Sequence, residues 1–211
     1  MPSSQYYQLN EILEIIMHLR PSSVLDIGPG FGKYGFLCRE YLELWDGRNV
    51  YGDWQCRIDC IEVFEKYITP IHKEIYSTVC TGNALDLVST LSGSYDLVLM
   101  VDVLEHFSYE EGCRLLEACR EKAAHILIAS PKSVNPQEEA FRNPFEKHRF
   151  EWKKAHLHKF GKASFFPHHS TLICLIGDRS DAVRGAYIKN HTRWFLKRHF
   201  RFLRLFKKLF A

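Results

Sequence analysis

Apolar positions along the chain follow two alternating patterns. Leu9, Ile12, Leu13, Ile16 and Leu19 recur every three or four residues, which predicts an amphipathic helix over 5–20 with Ser3 and Ser4 as candidate caps and Pro21 as its stop. The next segment, SVLDI at 23–27, is a continuous apolar run closed by glycines, as expected of a buried strand entering a turn. A helix over 31–45 follows. The polar stretch 46–55, with Gly47, Asn49 and Gly52, cannot continue that helix and leads to a second strand at 57–61.

Apolar blocks at 78–81, 95–101 and 125–129 predict three further strands, separated by a helical stretch restarted at Pro70, a short helix at 84–91 and a longer one at 109–122. Strands that are apolar on both faces and alternate with helices imply a parallel sheet covered on both sides. Beyond a Pro- and Asn-rich loop at 130–150, expected on the substrate side, come a helical stretch at 151–158 and two strands at 163–166 and 171–176. Their short connection makes them an antiparallel pair. The fold class is α/β: a Rossmann-like, doubly wound, mostly parallel seven-stranded sheet with an antiparallel last strand, followed by a C-terminal basic amphipathic helix. The chain divides into a leading helix (1–20), a central domain (21–180) and a tail (181–211).

Composition narrows the class. With 46% apolar and 14% aromatic residues in 211, the chain is not predominantly disordered. No apolar run approaches the roughly 20 residues that span a bilayer, and the first ten residues lack the regions of a signal peptide. A cytoplasmic protein is expected. The seven cysteines, without repeated spacing, read as reduced thiols, neither a disulfide framework nor a Cys-based zinc site.

The net charge of +3 conceals an asymmetry. Residues 184–211 hold nine Lys or Arg and no acid, so the remaining 19 basic and 25 acidic residues leave the body at −6. In the tail, Phe195, His199, Phe202, Phe206 and Leu209 recur at helical spacing opposite Lys197, Arg201, Arg204 and Lys208. Such a basic amphipathic helix suits an anionic membrane surface, with packing against the body or a second subunit, and RNA binding, as alternatives.

The strongest chemical signal is VLDIGPGFGKYG at 24–35, where a strand becomes a helix. Gly28, Gly30 and Gly32 let the backbone turn sharply and approach a ligand, which leaves a dinucleotide, a sulfonium cofactor or no ligand open. Glu62, directly after the second strand, is placed to accept both hydroxyls of a ribose, or else is a solvated strand-end carboxylate. No Gly-Lys-Ser/Thr order follows the glycines, which disfavours nucleotide triphosphate hydrolysis.

With VLDIGPGFG, Glu62, TGNALDL at 81–87 and YDLVLMVDVLEHF at 95–107 in this order, the chain resembles the class I S-adenosylmethionine (SAM)-dependent methyltransferases over roughly 20–130. The acidic Asp26 before the glycines is closer to this family than to nicotinamide oxidoreductases. The resemblance implies SAM as cofactor, with Asp26 and the backbone of Gly28, Pro29 and Gly30 on its methionine end and Glu62 on the ribose. Asn83, Ala84 and Leu85 would border the adenine, Asn83 standing where the family more often has Asp. Asp102 would line the cleft near the sulfonium.

Candidate general bases are His106, in LEHF, and His148, in the loop after the fifth strand, because histidine titrates near neutrality. The histidines at 148, 156, 158, 168 and 169 match no familiar zinc spacing, and no metal is expected. Ser130-Pro131 and Asn143-Pro144 are misplaced for the signature of base-amine methyltransferases, which argues against DNA adenine methylation. The expected activity is methyl transfer to a hydroxyl or carboxyl of a small-molecule, glycan or lipid-linked acceptor, with the tail at the inner membrane surface. A noncatalytic scaffold of the same fold, an RNA methyltransferase and an NAD-dependent oxidoreductase are the alternatives.

Overall fold

The computed structural model describes residues 4–44, 52–133 and 142–199. The described residues form a seven-stranded sheet from β1 (Ser23–Ile27), β2 (Arg57–Glu62), β3 (Thr78–Thr81), β4 (Tyr95–Val101), β5 (Ala123–Pro131), β6 (Ala163–Phe166) and β7 (Thr171–Ile176). Their order is β3-β2-β1-β4-β5-β7-β6. Strands β1 to β5 pair in parallel, and β7 inserts antiparallel between β5 and β6. This is the doubly wound sheet with one reversed strand that the apolar runs predict.

Both faces of the sheet are dry, which is why β4 reads as an unbroken apolar run. Leu97, Leu99 and Val101 join Val24 and Ile58 in one cluster, while Val98 and Met100 join Leu25 and Ile27 in the other. Helix α1 (Leu9–Leu19) covers the first cluster with Ile12, Ile15, Ile16 and Leu19, together with Tyr34 and Cys38 of α2 (Lys33–Arg39). The opposite face takes Leu115, Leu116 and Cys119 of α5 (Tyr109–Lys122) and Ala84 of the single-turn α4 (Ala84–Leu87). Short α3 (Pro70–Ile75) and α6 (Lys154–Leu157) complete the connections before α7 (Ser180–His199). All seven cysteines are free thiols.

The helix expected over 31–45 ends at Arg39 and widens into a π-type turn at Glu40–Leu44; Trp45 lies outside the described residues. The physical reason is Arg39, whose buried guanidinium donates to the carbonyls of Ile75 and Cys56, to Ser77 Oγ and to Glu43 Oε1 at 3.0 Å. Glu43 in turn accepts from the backbone of Gln55 and Cys56 at 3.1 and 2.6 Å. The ion pair thereby clamps the two ends of the polar insertion at the start of β2, away from the strand ends that carry the site. Residues 45–51 of that insertion lie outside the described residues.

Serine capping of α1 is not seen. The helix begins after a 3-10 turn at Tyr6–Gln8 without a side-chain cap, and Ser4 instead accepts from Lys33 Nζ; Ser3 lies outside the described residues. The leading helix shares the core of the central sheet and contacts α7, where His191 Nε2 lies 2.8 Å from Glu14 Oε2; Arg179, just before α7, donates to Leu19 O at 3.0 Å. Val183 and Tyr187 root α7 in the same core, whereas Trp194, Phe195 and Leu196 are exposed. From His199 onward the expected tail stripe lies outside the described side chains. No helix among the described residues is long and apolar enough to cross a membrane.

Candidate functional site

The carboxyl ends of β1, β2 and β4 open on one cavity of about 580 Å³, within the range of small-ligand sites. Every residue singled out from the sequence for cofactor contact or catalysis lines it. Asp26 enters from β1. It is buried and accepts from Tyr76 Oη at 2.7 Å. Burial pushes its carboxyl up to about 7, against the Tyr76 bond and with a smaller contribution from the charge of Glu62.

The turn after β1 is shaped by its neighbours. Gly28 has φ 66°, and a Cβ there would come within 2.7 Å of Val103 Cγ2, so only glycine fits over β4's exit. Its N–H donates to Ile61 O at 2.9 Å, fastening the turn to β2. Pro29 is buried. The carbonyl of Gly30 accepts from His72 Nε2 at 2.8 Å, while His72 Nδ1 accepts from Thr69 N at 3.1 Å. These two bonds fix the tautomer of His72, which bridges α3 and the turn. At Gly35, in α2, a Cβ would lie 2.4 Å from the Tyr76 ring. The missing side chain is what lets Tyr76 reach Asp26.

Glu62 closes β2, buried, with Oε1 accepting from Phe64 N at 2.8 Å; burial raises its carboxyl to about 6. Asn83 caps α4 by accepting from Leu85 N at 3.0 Å, the service an Asp would give there, and its amide adds a donor. Buried Ala84 and half-buried Leu85 continue that wall. Asp102, at φ 54°, accepts from Gln5 N and Gln8 Nε2 at 3.2 and 2.8 Å. With Lys33 Nζ donating to Ser4 O at 2.6 Å, these bonds hold the segment 4–8 in place, with Ser4 and Gln5 lining the cavity.

The far side is built from a 3-10 turn, Leu104–His106, and the returning segment 142–152. The Glu105 carbonyl accepts from Arg149 N and Phe150 N at 2.8 and 3.2 Å, and His106 Nδ1 donates to Lys147 O at 3.2 Å. Beneath them Trp152, fully buried, donates to Leu104 O at 3.0 Å and occupies the space left by Gly112, where a Cβ would approach within 2.3 Å. This docking brings the rings of His106 and His148 to 5.1 Å. Glu146 Oε1, held by Tyr67 Oη and Asn143 Nδ2 at 3.1 and 3.2 Å, links the segment to the turn after β2. Residues 134–141 of the loop lie outside the described residues.

Sequence reasoning missed Tyr76, His72 and Glu105. Glu105 lines the cavity at 1% exposure, Oε2 has no hydrogen-bond partner by distance and angle among the described residues, and burial, then the charge of Asp102, hold its carboxyl well above the usual range. His106 is held below its ordinary value by burial. Of the five histidines between 148 and 169, His148 lines this cavity, whereas His156 packs on Phe150 and Trp152, His158 on Phe165, and His168 and His169 on Tyr7. Glu105, His106 and His148 each place a ligating atom within 4.8 Å of the others. The expectation of no metal came from spacing within one span; this group joins two.

The chain has the fold of the class I SAM-dependent methyltransferases. The N-terminal domain of EvdMO1 with bound S-adenosylhomocysteine (SAH) superposes with a TM-score of 0.60 at 13% identity, covering 83% of each chain. Magnesium protoporphyrin IX methyltransferase (ChlM) from Synechocystis PCC 6803, with bound SAH, gives 0.53 at 14% identity over 80% of each chain. A SAM-dependent methyltransferase from Archaeoglobus fulgidus gives 0.53 at 21% identity over 77% of this chain and 79% of that one. No family model and no curated protein matches the sequence.

Proposed function

We propose that the protein is a SAM-dependent methyltransferase acting on a hydroxyl or carboxyl oxygen of a small-molecule, glycan or lipid-linked acceptor. The observation that carries this reading is the pairing of two buried carboxylates, Asp26 and Glu62, beside a bare glycine turn in a cavity that continues to His106 and His148. The donor set fits the cofactor: anionic groups suit a cationic ligand, and Tyr34 Oη lines the same cavity, buried and without a hydrogen-bond partner among the described residues. Asp26 and the 28–30 backbone would hold the methionine end, Glu62 the ribose hydroxyls, Asn83, Ala84 and Leu85 the adenine, and Asp102 the region of the sulfonium.

When bound, SAM supplies an already activated methyl group, so the chain's work is alignment and proton removal. His106 offers one lone pair to either a proton or a cation, because its Nδ1–H is committed to Lys147 O, which leaves Nε2 as acceptor, and burial holds the ring below its ordinary value. His148 faces it across 5.1 Å. EvdMO1, crystallised in the presence of SAH and D-fucose, supports a sugar hydroxyl as one acceptor class.

Calorimetric titration with SAM and SAH tests the cofactor site. Both are expected to bind the full chain, and Glu62→Ala to weaken binding roughly 10- to 100-fold through loss of a charge-assisted hydrogen-bond pair. NAD should give no heat. Absence of SAM and SAH binding by folded protein would favour the noncatalytic scaffold.

The tail carries a second expectation. Exposed Trp194, Phe195 and Leu196 on α7, with nine basic residues in 184–211, favour a peripheral anionic membrane surface over RNA. Chain shortened after residue 192 should lose sedimentation with phosphatidylserine vesicles. Equal sedimentation of the two forms would remove the membrane reading.

A further inference from the structure

We infer that Glu105, His106 and His148 form a binding site for one divalent transition-metal cation at the acceptor end of the cavity. Two imidazoles and one carboxylate, each offering an atom within 4.8 Å of the others, make a mixed nitrogen and oxygen donor set. Such a set suits Mn²⁺, Fe²⁺, Co²⁺ or Zn²⁺ better than the all-oxygen preference of Ca²⁺ or Mg²⁺. Ligands about 2.1 Å from a common ion lie at most about 4.2 Å apart, so closure requires side-chain movement of less than about 1 Å.

Two independent observations point the same way. Glu105 Oε2 is fully buried in the cavity wall with no hydrogen-bond partner by distance and angle among the described residues, so ionising it is costly unless a cation takes that place. His106 donates Nδ1–H to the Lys147 carbonyl, the outer bond that fixes a ligating imidazole's tautomer and frees Nε2. The negative charges of Asp102 and Glu146 also act on Glu105. They add to the attraction for a cation.

The three ligands are positioned by features that hold whether or not an ion is bound. Trp152 under Leu104 and the Glu105 carbonyl beneath Arg149 and Phe150 fix the returning segment, which presents His148 to the turn. Three protein ligands leave coordination positions for water and for an acceptor oxygen, as in open catalytic metal sites. The role in orienting an acceptor rests on the methyltransferase reading; the cation site itself does not.

The test is titration of chelator-treated full-length protein with MnCl₂, following free Mn²⁺ by electron paramagnetic resonance, and in parallel with CoCl₂ by visible absorption. Saturation at one ion per chain is expected, weakened about 10-fold or more in both His106→Gln and His148→Gln. Should His106→Gln fail to fold, His148→Gln, at a half-buried loop position, carries the comparison. SAH binding is measured in parallel on the metal-free parent, as a readout of the donor site that does not depend on the ion. No saturable Mn²⁺ or Co²⁺ binding, or equal binding by parent and variants, would overturn the inference. Metal binding without SAH binding would retain this site and remove the methyltransferase reading.

Discussion

Asp26→Asn is expected to weaken SAM and SAH binding roughly 30-fold or more while making the ligand-free protein more stable above neutral pH. The two effects share one cause. Asp26 lies in the dry core with Tyr76 Oη as its close donor, and its carboxyl titrates near 7 instead of 3.8. Between those values the folded protein retains a proton that the unfolded chain releases, so stability falls as pH rises through this window. Above it the ionised group costs on the order of 4 kcal/mol, a cost that Asn, still able to accept from Tyr76, does not carry.

Binding has the opposite dependence. The charge that destabilises the empty protein is the one that pairs with a cationic methionine end, so SAM affinity should rise as Asp26 ionises, by about 10-fold between pH 6 and pH 8. Asn removes that dependence together with the affinity. Thermal melts and calorimetry at both pH values check the pair. A variant that binds SAM like the parent, or that is destabilised at pH 8, would show that Asp26 is not the charged partner.

The largest loss of stability is expected from Arg39→Leu, about 3–5 kcal/mol, because Glu43, at 0% exposure, would lose the guanidinium that stands 3.0 Å from its carboxylate. In a chain of 211 residues that corresponds to a fall in Tm of roughly 10 °C. Truncation also strips donors from the carbonyls of Ile75 and Cys56, at the entries to β3 and β2. The double variant Arg39→Leu/Glu43→Leu removes the stranded charge and should recover a large part of the loss. Chemical denaturation of the three forms separates the causes: equal losses in the single and double variants would show that the backbone bonds, not the buried charge, dominate.

Much of this architecture is legible along the chain because it depends on local repetition. SVLDI and YDLVLMV announce strands buried on both faces, and the glycines after Ile27 announce a turn that a ligand can approach. Glu62 is legible too, through its place at a strand end. Tyr76 and Arg39 are not, since each acts through a partner from another element: Tyr76 looks like an aromatic before a strand until Gly35 is seen to make room for it. Arg39 breaks a helix whose periodicity continues past it. Glu105 and His148 are 43 positions apart by numbering, and only the docking of Trp152 beneath Leu104 turns three polar residues into one cluster. Spacing rules describe ligands on one element, not ligands brought together by a fold.

Residues 4–8 form part of the cavity's surround, through Ser4 on Lys33 and through Gln5 and Gln8 on Asp102. A ligand that reaches Asp102 must therefore share it with, or displace, the segment that already bonds to it. The backbone amides of residues 4–8 should therefore exchange with deuterium at different rates in the empty and filled protein, without any labelled substrate.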